Sequence, residues 1–176
     1  MTLDRKDKFK IVIQGEFMIS ADPADVLSTI LGSCVAAFMR DPVAGVGGLN
    51  HFLLPGGDTS DKTAMKYGLN AMELLINGLL KRGAKHNRLE AKLFGGARIV
   101  PGLTDIGAAN GRFAEEFLRR EGISYLGGSL GGDQGRKIRV WPVNGQVQQM
   151  RFPANAVREV RDVSAKSVSA GEIVLF

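Results

Sequence analysis

Residues 31–55 read LGSCVAAFMRDPVAGVGGLNHFLLP. Residues 35–40 and 46–54 are apolar runs of strand length, and RDPVAG between them sets Asp41 ahead of Pro42, the chemistry of a tight reversal. The stretch therefore predicts an antiparallel hairpin. Both faces of 35–39 are apolar, so its sheet is expected to be covered on both sides. The same stretch holds the single cysteine of the chain, Cys34, and one of its two histidines, His51.

A turn centred on Pro42-Val43 fixes a register. Arg40 then faces Gly45, Phe38 faces Gly47, Ala36 faces Leu49, and Cys34 faces His51. Directly opposed Cβ atoms lie about 4.5–5.5 Å apart, so a thiol and an imidazole would meet, whereas a shift of one residue would turn His51 to the other face.

Outward from the hairpin, residues 9–19 alternate as a first strand or a strand pair bent at Gly15. ADPADVL at 21–27 has turn chemistry around Pro23. The segment 57–62 is polar. Met65, Leu69, Met72, Ile76 and Leu79 recur at helical spacing, which predicts an amphipathic helix over 63–81 ending near Gly83. LEAKLFG at 89–95 is a strand closed by Gly95-Gly96. A second helix is predicted over 106–121, with Ile106, Ala109, Phe113 and Phe117 on one face, Asp105 as its cap and Gly122 as its stop. ISYLGG is a short strand. GRKIRVWPVNGQVQQMRF at 135–152 is a hairpin with Asn144-Gly145 suited to a type I′ turn, and GEIVLF is a last edge strand. Strand clusters interrupted by two long helices predict an α/β fold of α+β type, a layered sandwich of mostly antiparallel sheet.

The 176 residues are 44% hydrophobic and 23% charged, the balance of one globular domain that can bury its own core. One cysteine excludes an internal disulfide and a cysteine-rich metal site. MTLDRKDKFK lacks the apolar core of a secretory signal, and the longest apolar run is too short to span a bilayer, so a cytoplasmic protein without membrane insertion is expected. The net charge of +5 comes from scattered basic residues with few aromatic partners. That pattern argues against nucleic acid and for an acidic protein surface as partner.

Cys34 and His51 invite a chemical reading. Thiolate is the nucleophile, and an unassisted cysteine is only a few per cent ionised at neutral pH. A neighbouring imidazole takes the proton and later delivers it to a leaving group. Gly32-Ser33 allow a bend that aims backbone N–H groups at a developing oxyanion. Such pairs need a third group to orient the imidazole, and Thr29, Ser28 and Asn50 are the polar candidates nearby. The bland alternative is a buried structural cysteine beside a core histidine.

At these residues the chain resembles the CheD family, the chemoreceptor glutamine deamidases of chemotaxis. LGSC at 31–34, GGLNHFLLP at 47–55, NAMELLING at 70–78, KLFGGA at 92–97, IGAAN at 106–110 and LGGDQGRKIRV at 130–140 are similar to family blocks in family order. The likeness spans about residues 10–152 of one domain, leaving 153–176 as a tail. It implies a cysteine hydrolase that converts receptor glutamines to glutamates through a thioester, with Cys34 as nucleophile, His51 as base and Thr29, or alternatively Ser28, as third residue. Methyl esters of glutamate are a second substrate the same route would serve. It implies no metal or organic cofactor, the cytoplasmic domains of chemoreceptors as partners, and a CheC-type phosphatase as another. A non-catalytic adaptor for receptor or phosphatase is the alternative function.

The remaining features have simpler readings. GGSLGGDQG at 127–135 fits neither phosphate-loop nor dinucleotide spacing and is read as a tight connection. His86 is expected to be solvated, the Met65–Ile76 stripe to be core, and Arg136-Lys137 to be surface charges of the last hairpin.

Overall fold

The computed structural model describes residues 6–55, 62–100, 105–156 and 173–176. The strands are β1 (Lys8–Ile11), β2 (Phe17–Ser20), β3 (Asp25–Leu31), β4 (Val35–Asp41), β5 (Val46–Asn50), β6 (Glu90–Gly95), β7 (Ser124–Leu130), β8 (Gly135–Val140), β9 (Val147–Phe152) and β10 (Ile173–Leu175). The helices are α1 (Lys62–Lys81) and α2 (Ile106–Glu121).

Among the described residues two five-stranded sheets form, in the orders β1-β3-β8-β9-β10 and β2-β5-β4-β6-β7. Pairing is antiparallel except at β1/β3 and β6/β7. Both helices cover one face of the second sheet, where Val35, Ala37 and Met39 of β4 pack with Leu75 and Leu79 of α1 and Phe113 and Phe117 of α2. The other face, with Cys34, Ala36, Phe38 and Leu49, packs on Leu27, Leu31, Ile138 and Val140 of the first sheet. The result is helices, sheet, sheet: a layered α+β sandwich, as the sequence predicts. Residues 35–39 are indeed buried on both faces.

The hairpin register differs from the expectation by two residues. Phe38 faces Leu49 and Arg40 faces Gly47, and the same count continues at the isolated Val35–Phe52 pair. The turn is a four-residue loop, Pro42–Gly45, closed by the Asp41–Val46 pair. The Gly45 N–H donates to the Asp41 carbonyl at 3.0 Å, with Gly45 at φ +67°. The β8–β9 hairpin repeats this device. Val140 faces Val147, the Gly145 N–H donates to the Trp141 carbonyl at 2.9 Å, and Gly145 has φ +82°. Asn144-Gly145 are thus not the centre of a type I′ turn. Both loops read Pro-Val-x-Gly, a turn that Pro opens and a left-handed Gly closes.

Asp41 fixes the first loop. Its carboxylate accepts N–H bonds from Val43, Ala44 and Lys85 and pairs with Arg88 at 2.7 Å. Burial alone would raise its pKa. The Arg88 guanidinium and the three backbone N–H groups outweigh that and hold it well below the usual carboxylate range. A depressed carboxylate contributes stability that is complete above its unfolded pKa and fades as pH falls through the folded value. Replacing Asp41 with alanine is therefore expected to cost about 3–5 kcal/mol at neutral pH, as for other broken buried pairs, in urea titrations. The deficit relative to wild type should shrink as pH falls below about 4. A deficit independent of pH there would contradict this assignment.

Residues 9–19 do bend at Gly15, but β1 and β2 join different sheets. The turn chemistry at 21–27 ends at Ala24, and Asp25 already begins the buried strand β3. β5 stops at Asn50, while β7 runs on through Gly127 and Gly128 to Leu130. In α1 the buried seam runs through Ala64, Gly68, Met72, Leu75 and Leu79, and Leu69 is exposed. The seam passes through small residues because the helix backbone comes close, and a Cβ on Gly68 would strike Leu54 and Phe113. The cap at Asp105, accepting from Ala108 N–H at 2.9 Å, and the left-handed stop at Gly122 are as predicted. β10 pairs on the edge of β9, as expected for GEIVLF. Of the polar segment 57–62 only Lys62 is described, where it begins α1, and most of the tail from 153 lies outside the described residues.

Candidate active site

The two sheets bring the predicted residues together from opposite sides. Thr29 sits on β3 of the first sheet, on the inward face with Leu27 and Leu31. His51 follows β5 of the second sheet. The Thr29 hydroxyl oxygen lies 2.8 Å from His51 Nδ1, and both residues are buried. The Thr29 hydroxyl donates to the Val12 carbonyl at 2.7 Å, and His51 Nδ1 is also 3.4 Å from that carbonyl. A hydroxyl has one proton. With that proton on Val12, Thr29 can only accept from Nδ1, and the carbonyl beside it can only accept too. The arrangement therefore places the imidazole proton on Nδ1 and leaves Nε2 as the basic nitrogen.

Ser28, one residue earlier on β3, projects to the opposite face, so Thr29 rather than Ser28 reaches His51. Asn50 does not reach it either. Its side-chain oxygen accepts from Ala37 N–H at 2.8 Å and its amide nitrogen donates to the Ala71 carbonyl at 3.2 Å, which turns it toward α1.

Cys34 lies at the head of β4, buried to 3% exposure, in the layer between the sheets. The two-residue change of register sets Ala36 level with His51 and moves Cys34 to the diagonal position. A shift of two preserves the face, so sulfur and imidazole remain on the same side as neighbours along the strand pair.

Three successive carbonyls of the loop before and at Cys34 are tied down. Gly32 accepts from Ala97 N–H at 3.0 Å, Ser33 from the Asn110 side-chain amide at 2.8 Å, and Cys34 from Gly96 N–H at 2.8 Å. In a trans peptide the N–H points opposite to the C=O, so the N–H groups of Ser33 and Cys34 are turned away from Ala97 and Asn110. Asn110 is fully buried, and its side-chain oxygen accepts from Leu54 N–H at 3.0 Å. It thus clamps the Cys34 loop to the segment just beyond His51. Sequence reading did not single out Asn110; a polar residue on the apolar face of α2 was the available signal.

Gly95 makes room for this loop. It has φ +105°, and a Cβ there would land on the Cys34 carbonyl oxygen. Arg136 donates to the carbonyls of Gly95 and Gly131. It is therefore not a surface charge of the hairpin but buried at 2% exposure. Burial, with Arg151 nearby, lowers its pKa to about 10, which keeps it cationic at neutral pH. Of the glycine cluster at 127–135, Gly127 and Gly128 lie within β7 and Gly135 begins β8, so only residues 131–134 form the connection, where Gly131 and Gly132 turn with positive φ and are bonded to Gly95 and Arg98.

A cavity of about 300 Å³ opens beside His51 and Thr29. Ile11, Ile13 and Ile30 give it apolar walls, and Gln14 and Lys137 also line it. Burial, and Arg139 beside it, lower the Lys137 pKa. The Gln14 side-chain oxygen lies 3.5 Å from the Cys34 sulfur. Among the described residues no three His, Cys, Asp or Glu side chains gather as a metal site requires. No helix among them is long and apolar enough to cross a membrane. His86 is part-exposed, 3.4 Å from Glu121, and apart from the site.

Comparison with known proteins supplies the context for this geometry. A family model described as CheD chemotactic sensory transduction matches residues 53–151. A protein of Rhizobium leguminosarum bv. trifolii described as "Probable chemoreceptor glutamine deamidase CheD" is 54% identical over 156 residues, covering 87% of this chain and 84% of its own. Proteins of the same description are 60% identical over 78% of this chain and 77% of their own in Rhizobium meliloti, and 52% over 94% and 91% in Caulobacter sp. strain K31. A match covering 94% of the chain necessarily includes residues 29–51, which the family model's span does not. Likeness to solved structures is more distant: the crystal structure of Neisseria meningitidis protein NMB0706 has TM-score 0.43 and 12% identity, covering 64% of this chain and 51% of that one. On the extent and identity of the sequence matches, this chain belongs to the CheD family of chemotactic sensory transduction proteins.

Proposed function

We propose that this protein hydrolyses the side-chain amides of glutamines in the cytoplasmic domains of chemoreceptors, with Cys34 as nucleophile, His51 as acid–base and Thr29 as the residue that orients the imidazole. The observation that carries this reading is the Val12–Thr29–His51 chain of contacts, which presents a basic Nε2 on the face that Cys34 shares.

In this mechanism Nε2 takes the Cys34 proton and the thiolate attacks the glutamine Cδ, pushing the C=O electrons onto oxygen. The N–H groups of Ser33 and Cys34, in a loop held by Asn110 and the Gly95–Ala97 turn, receive that oxyanion. As the intermediate collapses, the imidazolium proton goes to the departing nitrogen and ammonia leaves a glutamyl thioester. Water then gives its proton to Nε2 and adds to the thioester carbonyl. Collapse expels the thiolate, which regains its proton, and leaves glutamate. Each step uses groups present in the chain, plus water.

The test is incubation with the cytoplasmic domain of a chemoreceptor from the same organism, followed by peptide mass spectrometry. Conversion of specific glutamines to glutamates is expected. Binding to the receptors of that organism without conversion in any of them would favour the adaptor function instead.

A further inference from the structure

The mechanism above leaves one polar group at the sulfur without a role. Gln14 is not part of a strand, yet its backbone is firmly held. Glu16 N–H donates to the Ile13 carbonyl at 3.0 Å across Gly15 at φ +89°, the signature of a type II turn with Gln14 at its first central position. Val12 N–H donates to Ser28 at 2.9 Å. Gly15 N–H donates to the His51 carbonyl at 2.8 Å, and His51 N–H donates to Glu16 at 3.1 Å. The turn is therefore bonded to β3 and to both backbone groups of His51. It supplies the Val12 carbonyl on which Thr29 rests, and it carries the Gln14 amide to 3.5 Å from Cys34 Sγ.

We propose that Gln14 is a fourth catalytic residue, a side-chain amide donor that stabilises the Cys34 thiolate and then the oxyanion formed from it. The proposal rests on Cys34 being the nucleophile. While the sulfur is protonated, the thiol donates to the amide oxygen. Once the proton moves to His51, an oxygen facing a negative sulfur is repelled. Rotation of the terminal torsion, which is soft and roughly two-fold, then presents the NH2 group. That group has two protons. One can remain toward sulfur while the other follows the charge to the substrate oxygen as the S–C bond forms. Gln14 also lines the cavity beside His51, so an amide entering there arrives within its reach. The held backbone keeps the amide at the sulfur, so presenting the donor takes only that terminal rotation.

Gln14→Glu is the decisive variant. It keeps the shape, replaces the donor by a carboxylate, and alters an exposed turn position that tolerates glutamate. The rate of Cys34 alkylation by iodoacetamide, measured without receptor, is expected to fall at neutral pH, with its pH profile moved to higher pH. Removing one oxyanion donor elsewhere lowers kcat about 10²–10³-fold, and a loss of that order with little change in KM is expected for receptor glutamine conversion. Gln14→Ala should lose kcat in the same direction with a smaller move of the alkylation profile. Faster alkylation and faster turnover in Gln14→Ala would instead identify Gln14 as a cover that occupies the substrate's place. An unchanged profile and kcat in Gln14→Glu would identify a bystander. Either result overturns the proposal. The alkylation arm needs no deamidase activity, so failure of the function proposed above is read separately, as absence of conversion by the wild-type protein.

Discussion

Replacing His51 with alanine is expected to lower kcat for glutamine conversion about 10²–10⁴-fold, the usual contribution of a positioned acid–base. KM should stay within a few-fold, because the imidazole acts on protons in flight rather than on the bound amide. The expectation follows from one proton. Thr29 gives its hydroxyl proton to Val12, so Nδ1 must donate to Thr29 and Nε2 is left basic. Thr29→Val keeps the shape but removes the acceptor, and should lose activity in the same direction by less than His51→Ala. Steady-state kinetics on a receptor fragment check both. A His51→Ala protein with wild-type kcat would remove the base from the mechanism.

The largest structural effect is expected at Gly95. Its φ of +105° is costly for any residue with a Cβ, and that Cβ would collide with backbone rather than a movable side chain. Forced backbone conformations and overpacking each cost about 1–3 kcal/mol, so Gly95→Ala should lose several kcal/mol in urea denaturation. The collision is with the Cys34 carbonyl, whose partner is Gly96 N–H. The variant should therefore also change Cys34 alkylation in conditions where it remains folded. A stable Gly95→Ala protein with wild-type alkylation would mean that this turn does not position the nucleophile.

Much of this was legible in the sequence, and the failures have identifiable causes. The helices were found because their apolar periodicity and caps agree, as at Asp105 and Gly122. The hairpins were found because their strands are apolar and their turns carry Pro and Gly. Their registers were displaced because Asp-Pro and Asn-Gly each suggest a two-residue turn, whereas both loops use all four residues of Pro-Val-x-Gly. Parity survived the error, and with it the common face of Cys34 and His51. Strand β3 was obscured because Ser28-Thr29 interrupt its apolar run, so a residue of the site masked the element that carries it. Arg136 reads as a surface charge, and Asn110 and Gln14 have no role in the sequence reading, because each acts through contacts distant in sequence: Arg136 on Gly95, Asn110 on Ser33 and Leu54, Gln14 on Cys34. Local spacing does not name such partners; among the three, only Asn110 carries a signal, as a polar residue on the apolar face of α2.

The most direct test is to compare wild type with Cys34→Ala in receptor glutamine conversion, read by peptide mass spectrometry, after confirming by urea denaturation that the variant is folded. Alanine is a small apolar replacement for a buried side chain in the layer between the sheets, so the fold should persist. Conversion by wild type and none by Cys34→Ala is the predicted result; conversion by the alanine variant would contradict the nucleophile, and with it the thioester.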